Sequence, residues 1–286
     1  MERLRMHWDP RQVGPVSESY APYASIPRLT LEAFLQSGLP VEVVGGWPPA
    51  TPEELTLAHD PEHVRKVLEG RDTNGFGNED PAVARAALWE AGSFLSAAFD
   101  AARSGDPAFS PSQGFHHATW GECWNFCTFN GLVVAALRLR EEGLARRVGI
   151  LDFDCHWGNG TDDILERLGL DWIVHWSFGK FKRTVRRGIG WDAWIEGLPE
   201  ELETRFADCG ILLYQAGADP HIEDRFGGEL STEQMRLRDR AVFRWAAARG
   251  VPVAWNLAGG YQDPPSKVVD LHRITLDECL AAHGIQ

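Results

Sequence analysis

Residues 148–161 read VGILDFDCHWGNGT, and the reading of this stretch decides the fold. Its first part, VGILDF (148–153), is an apolar run of the kind found in a strand covered on both faces. Asp152, Asp154 and His156 then stand at alternating positions. In an extended chain, side chains at i, i+2 and i+4 share one side. The spacing therefore predicts three proton- or metal-binding groups gathered at the carboxyl end of a strand. Two carboxylates and an imidazole held together away from water cost free energy unless something positive joins them.

The same pattern repeats outward. VEVV (41–44), DWIVHW (171–176), CGILLYQ (209–215) and VPVAWNL (251–257) read as further strands. Helical spacing is present over 28–37, 61–69, 81–104, 127–142, 160–168, 196–207, 232–249 and 266–283. Pro81 suits the first turn of the Ala-rich segment 81–104. Ser231 or Thr232 is a candidate cap for 232–249, which closes at Gly250. Strands alternating with helices predict an α/β fold, a mainly parallel sheet with helices on both faces. With no repeat, low-complexity tract or linker, a single domain over 1–286 is expected. The stretch 178–195, FGKFKRTVRRGIGWDAWI, is expected to be a long surface loop. Its basic cluster, Lys180, Lys182, Arg183, Arg186 and Arg187, reads as a solvated face.

Composition narrows the function. A chain of 286 residues, 44% hydrophobic and 24% charged, can bury a sizeable core. A net charge of −13 argues against nucleic-acid binding, which needs a basic face. No apolar run is long enough to span a membrane, and MERLRMHWDPRQVG lacks the apolar segment of a secretory leader. The five scattered cysteines, Cys123, Cys127, Cys155, Cys209 and Cys279, suit reduced thiols, and the expected location is the cytoplasm. Cys123 and Cys127 lack the second ligand pair that a structural zinc site needs.

In open parallel sheets, ligands bind beyond the carboxyl ends of the strands. Asp154 and His156 follow one strand, Asp219 ends AGAD after a second, and Tyr261 ends AGGY after a third. The fold is expected to bring these together. Asp154, His156 and Asp219 form a three-ligand set that suits zinc with one position open. An ion pair at a strand end and a turn cap before Pro220 account for the same residues. His116 and His117 lie in QGFHHATWGECWNF (113–126), either in an exposed loop or pressed into a cavity, where they suit proton transfer near neutral pH. Tyr261 follows Gly259–Gly260, a pair that frees the backbone to swing the phenol over a metal and a developing oxyanion.

GFHHA (114–118), NFCTFN (125–130), DFDCHWGNGT (152–161), QAGAD (215–219), DRFGGELS (224–231) and NLAGGY (256–261) occur in this order. The set resembles the histone deacetylase superfamily, which includes acetylpolyamine amidohydrolases and bacterial deacetylase-like proteins. The resemblance runs over roughly residues 20–275. It implies an arginase/deacetylase fold and one catalytic Zn²⁺ on Asp154, His156 and Asp219. His117 is then the main general base and acid, His116 its partner, and Tyr261 the group that polarises the acyl carbonyl. By the same resemblance, Asp152 supports His116 and helps hold a structural K⁺, and Asn159 orients His117. Phe126, with Asn125, Gly259 and Gly260, belongs to the substrate tunnel, and Phe178 or Phe181 to its far wall. Asn125 stands where the family usually has Gly. The rim acid of some deacetylases has only Glu79 or Asp80 as a counterpart.

The implied activity is hydrolysis of an acyl-amine amide: acetyl-lysine, an acetylpolyamine or a small acylated metabolite. The expected partners are a small-molecule or acyl-lysine substrate, with no nucleic acid and no membrane; an oligomer stays open. The alternatives are an arginase-like manganese ureohydrolase and a non-catalytic binding protein. Against the first, Gly158 stands where that family's D-x-H-x-D element carries its last Asp.

Overall fold

Seven parallel strands among the described residues form one sheet in the computed structural model, which describes residues 1–14, 21–184 and 190–286. They are β1 (Leu4–His7), β2 (Val41–Val44), β3 (Ala108–Ser110), β4 (Val148–Asp152), β5 (Ile173–Ser177), β6 (Ile211–Gln215) and β7 (Val253–Asn256). Their order is β2-β1-β3-β7-β6-β4-β5, and every pairing is parallel.

The central strands are apolar on both sides because both faces are covered. Val148 and Ile150 of β4, with Ile211 and Leu213 of β6, pack into one core. This core meets α4 (Pro61–Leu68), α5 (Pro81–Ser104), α6 (Gly131–Glu141) and α7 (Asn159–Leu168). Leu151, Leu212, Tyr214 and Trp255 face the opposite core, built on α2 (Ile26–Gln36), α9 (Trp191–Phe206), α10 (Thr232–Arg249) and α11 (Ser266–Ala282). The short helices α1 (Ala21–Ala24), α3 (Pro52–Leu55) and α8 (Phe178–Thr184) complete the set. Ser231 caps α10, accepting from Gln234 N–H in a reciprocal capping box. No helix of the described residues is long and apolar enough to cross a membrane.

The sheet register prepares the site. The last row of five adjacent strands, β3, β7, β6, β4 and the edge strand β5, pairs Ser110 with Asn256, Asn256 with Gln215, Gln215 with Asp152, and Asp152 with Ser177. The apolar rows below thus end in one polar row, all of it buried. The loops that follow this row carry the chemistry.

Two expectations are corrected. The stretch 178–195 is not a loop over its described part: α8 begins at Phe178 and α9 at Trp191. Trp194, Ile195, Leu198 and Leu202 of α9 are buried at helical spacing. Lys180 pairs with Asp162 at 2.6 Å, and the half-buried Lys182 contacts Cys155 and Glu229. Arg183 is exposed, while Arg186 and Arg187 lie outside the described residues. The second correction concerns β4, which stops at Asp152. Strand pleating therefore does not place Asp154 and His156.

Candidate functional site

Two side-chain turns place the central residues. Asp154 N–H donates to Asp152 Oδ1 at 3.2 Å, and His156 N–H donates to Asp154 Oδ1 at 2.9 Å. Aspartates that bond their own backbone two residues on make compact turns. This turn leaves Asp152 at the strand end and directs Asp154 and His156 toward Asp219, which follows β6. Asp154, His156 and Asp219 each offer a ligand atom, all within 4.8 Å of one another.

Neighbouring main-chain groups hold this cluster. Asp154 Oδ2 accepts from Gly259 N–H at 3.0 Å, and Asp219 Oδ1 accepts from Cys155 N–H at 2.9 Å. His156 Nε2 donates to the carbonyl of Phe226 at 3.1 Å. Its Nδ1 lies 3.0 Å from Asp154 Oδ1 and 2.8 Å from Asp219 Oδ2. Asp219 Oδ2 is fully buried and makes no hydrogen bond, although the ring stands close to it. Burial pulls the His156 pKa down, but the hydrogen bond to Asp154 and the charges of Asp154 and Asp219 carry it up to about 11. Burial, with the Asp154 charge, lifts Asp219 to about 7. Either a second proton on His156 or a cation at Nδ1 reconciles these atoms. Two carboxylates and a neutral imidazole, oriented through a backbone carbonyl, fit a divalent transition metal.

The histidine pair stands beside this cluster. His116 and His117 are 2% and 8% exposed, with ring centroids 4.1 Å apart. His116 Nδ1 donates to Asp152 Oδ2 at 2.7 Å, and His117 Nδ1 donates to Asn159 Oδ1 at 2.6 Å. Burial opposes charge on both rings. On His116, Asp152 and Asp154 outweigh it and raise the pKa to about 9. On His117, burial and the neighbouring His116 lower it to about 4. The two rings are thereby driven to different protonation states.

Tyr261 completes the constellation. Its N–H donates to Asp224 at 2.7 Å, and its ring packs against Tyr23, Phe126 and Phe226 at 5.3, 5.6 and 5.1 Å. Burial, then the charges of Asp154 and Asp219, push its pKa well above the ordinary value, so the phenol keeps its proton. The glycine pair before it works by spacing. Ala258, at φ 58°, takes the left-handed turn, and Gly259 and Gly260 are not among the left-handed residues. A Cβ on Gly259 would lie 2.6 Å from Asp154 Oδ2 and 2.9 Å from Asp219 Oδ2.

His116, His117, Asp154, His156 and Tyr261 line one cleft of about 490 Å³ with Tyr23, Phe76, Asn125, Phe126 and Gly259–Gly260. Phe76 faces Phe126 with ring centroids 5.7 Å apart. Phe178 is not the far wall. It is 1% exposed and packs on Trp194, while Phe181 packs on Trp176. Asn125 and Phe126 both adopt left-handed backbone, at φ 43° and 70°, and Phe126 N–H is tied to the Gly75 carbonyl at 2.8 Å. Asp80 caps α5, accepting from Ala82 N–H, and neither it nor Glu79 lines the cleft.

The sequence reading missed several contributors. Gln215 donates to Asp152 Oδ1 at 2.9 Å and accepts from Phe115 N–H at 3.0 Å, joining the histidine loop to β4. His175 bonds Asp162 and sits 3.8 Å from Asp152 Oδ2. Gln215 was already in view as the last residue of an apolar strand. Phe76 and Tyr23 had no such marker.

The chain is similar to known proteins in sequence and in fold. A histone deacetylase domain description matches residues 26–175. A probable deacetylase of Methanothermobacter thermautotrophicus is 32% identical over 250 residues, covering 74% of this chain and 72% of that one. The acetylpolyamine amidohydrolase of Mycoplana ramosa is 29% identical over 175 residues, covering 52% and 50%. The fold matches that of an acetylpolyamine aminohydrolase from Burkholderia pseudomallei with a TM-score of 0.74 at 18% identity, covering 98% and 99%. On the match over more than half its length, and on the 32% identity to a relative it spans by more than two thirds, the chain belongs to the histone deacetylase family of amidohydrolases.

Proposed function

We propose that this protein is a zinc-dependent deacylase that hydrolyses the amide of an acylated amine. The observation that carries the reading is the unpartnered Oδ2 of Asp219, facing His156 Nδ1 within reach of Asp154 and beside two buried histidines. Asp154, His156 and Asp219 would hold the ion. A bound zinc supplies Lewis acidity toward the acyl oxygen and lowers the pKa of a water near it.

The chain's own residues do the rest. His117 donates a hydrogen bond from Nδ1–H to Asn159 Oδ1, which leaves Nε2 as acceptor for a proton from the attacking water. His116, anchored on Asp152, lies ring against ring with His117 and serves the proton that reaches the departing amine. Tyr261 donates its O–H to the oxyanion as the carbonyl becomes tetrahedral. Phe76 and Phe126 flank the acyl-amine chain and exclude water from it. Both oxygens of Asp152 are already taken up by Gln215, the Asp154 N–H and His116. These donors do not call for the monovalent cation, and no step uses it.

An arginase-like two-metal centre is disfavoured. A Cβ on Gly158 would stand 2.5 Å from Asp152 Oδ2, so the backbone leaves no room there for a further carboxylate.

A hydrolysis screen over acetylated polyamines, acyl-lysines and short acyl amides, with metal quantified in the same preparation, tests the reading. Turnover of at least one class at about one zinc per chain is expected. Metal-replete protein that hydrolyses none of them would refute it.

A further inference from the structure

We propose that Arg225 selects substrates whose amine side carries a carboxylate, and that it disfavours polycationic amines. The proposal rests on the deacylase reading and names the substrate class for the same cleft.

Arg225 is fixed at the mouth. Its Nε donates to the carbonyl of Tyr261 at 3.0 Å, and its Nη2 bonds the hydroxyl of Tyr23. Both partners line the cleft. The guanidinium stacks 5.3 Å from the Tyr23 ring and 5.8 Å from the Phe226 ring. Two protein contacts and two rings orient this fork, and the residue is exposed. A carboxylate matches such a fork as acceptor.

Charge at the mouth is unbalanced among the described residues. Among the described residues no carboxylate pairs with Arg225, although nearby cations are paired: Lys267 with Glu223 at 3.1 Å and Lys182 with Glu229 at 3.4 Å. Asp224 is committed to the N–H groups of Phe226 and Tyr261. Between mouth and base, the described cleft residues Tyr23, Phe76, Asn125, Phe126 and Tyr261 are all uncharged. In a chain of net charge −13, the mouth therefore carries a fixed cation. An amine chain ending in ammonium meets repulsion where a chain ending in carboxylate meets a donor.

Three amides with the same five-methylene spacer test this: 6-acetamidohexanoate, N-acetyl-1,5-diaminopentane and neutral N-hexylacetamide. An exposed pair contributes up to about fivefold, and attraction of one end plus repulsion of the other gives roughly a tenfold preference for the anion in kcat/KM. Raising salt should shrink that ratio. Arg225→Gln should bring it close to one, Arg225→Glu should invert it, and Arg225→Lys should keep its sign. Because Arg225 also touches the Tyr261 main chain, each ratio is read against N-hexylacetamide. Preference for the cation by the unaltered protein, or a ratio unmoved in Arg225→Gln, would overturn the role of Arg225 while leaving the deacylase reading intact. Failure of the metal-replete protein to hydrolyse any of the three amides would overturn the role of Arg225, and the deacylase reading falls with it only if the acyl-lysines and the other acetylated polyamines are refused as well.

Discussion

His156 turns Nδ1 toward Asp154 and Asp219, at 3.0 and 2.8 Å, and gives Nε2 to the Phe226 carbonyl at 3.1 Å. A ring with both nitrogens engaged in this way cannot rotate to relieve the carboxylates. Chelation should therefore destabilise the protein. At a hundredfold excess of ion over Kd, binding stabilises by about 2.7 kcal/mol, or roughly 5 °C in Tm. Thermal melts with chelator, and after zinc is restored, measure the loss and its recovery. Asp219→Ala and Gly259→Ala should both reduce bound zinc well below one per chain. Full occupancy in Asp219→Ala would remove that residue from the centre.

Asn159 fixes the tautomer of His117 through a 2.6 Å bond to Nδ1. Asn159→Ala should lower kcat about 10-fold or more, a part of the 10²–10⁴ that general acid–base catalysis supplies. His117→Ala should nearly abolish turnover. Both variants should retain zinc, because neither side chain is one of the three ligands. Loss of metal in His117→Ala would show that a ligand had been taken for a base.

Tyr261→Phe keeps the ring that packs on Tyr23, Phe126 and Phe226 but removes the donor. Turnover should fall about 10²–10³-fold with zinc content unchanged, the scale of one oxyanion donor. Undiminished kcat would exclude the phenol from the reaction.

Glu90 bears on stability. It lines a side cavity next to the cleft, with Phe76 and Gln113 common to both, and accepts from Gln113 N–H at 2.6 Å. Burial raises its pKa to about 7, against the lowering effect of that hydrogen bond. The folded state thus holds the proton more tightly than the unfolded chain, whose value is near 4.5. Its contribution is complete below that lower value and is lost as pH rises through about 7. Glu90→Gln, which keeps the acceptor, should match the unaltered protein below pH ~4.5 and exceed it above pH ~7, by up to about 3 kcal/mol. Denaturant melts at both ends of that range decide the matter, and a constant difference would mean that Glu90 does not titrate there.

Legibility from sequence followed distance along the chain. β4 and β6 announced themselves as continuous apolar runs, and the site residues after them came with the same motifs. β1 (LRMH) and β3 (AFS) were missed because three or four residues, one of them charged, form no pattern. Most of α9 was expected, over 196–207, but its first turn from Trp191 and the whole of α8 were assigned to a loop because the neighbouring basic cluster suggested one. The cleft walls were partly misread for a different reason. Phe76 reaches Phe126 through a loop far away in sequence, and no local periodicity marks it. Asp154 and His156 were expected to converge and do so, through turns closed by their own carboxylates.

The segment Asp224–Phe226 touches three things at once. Its carbonyl orients a ligand ring, its aromatic edge supports the phenol, and its guanidinium stands at the entrance. Threshold and hearth thus share one hinge of three residues. An occupant that shifts this segment would alter the proposed grip on the ion, and by thermodynamic reciprocity binding of the ion would change the affinity for that occupant by the same factor.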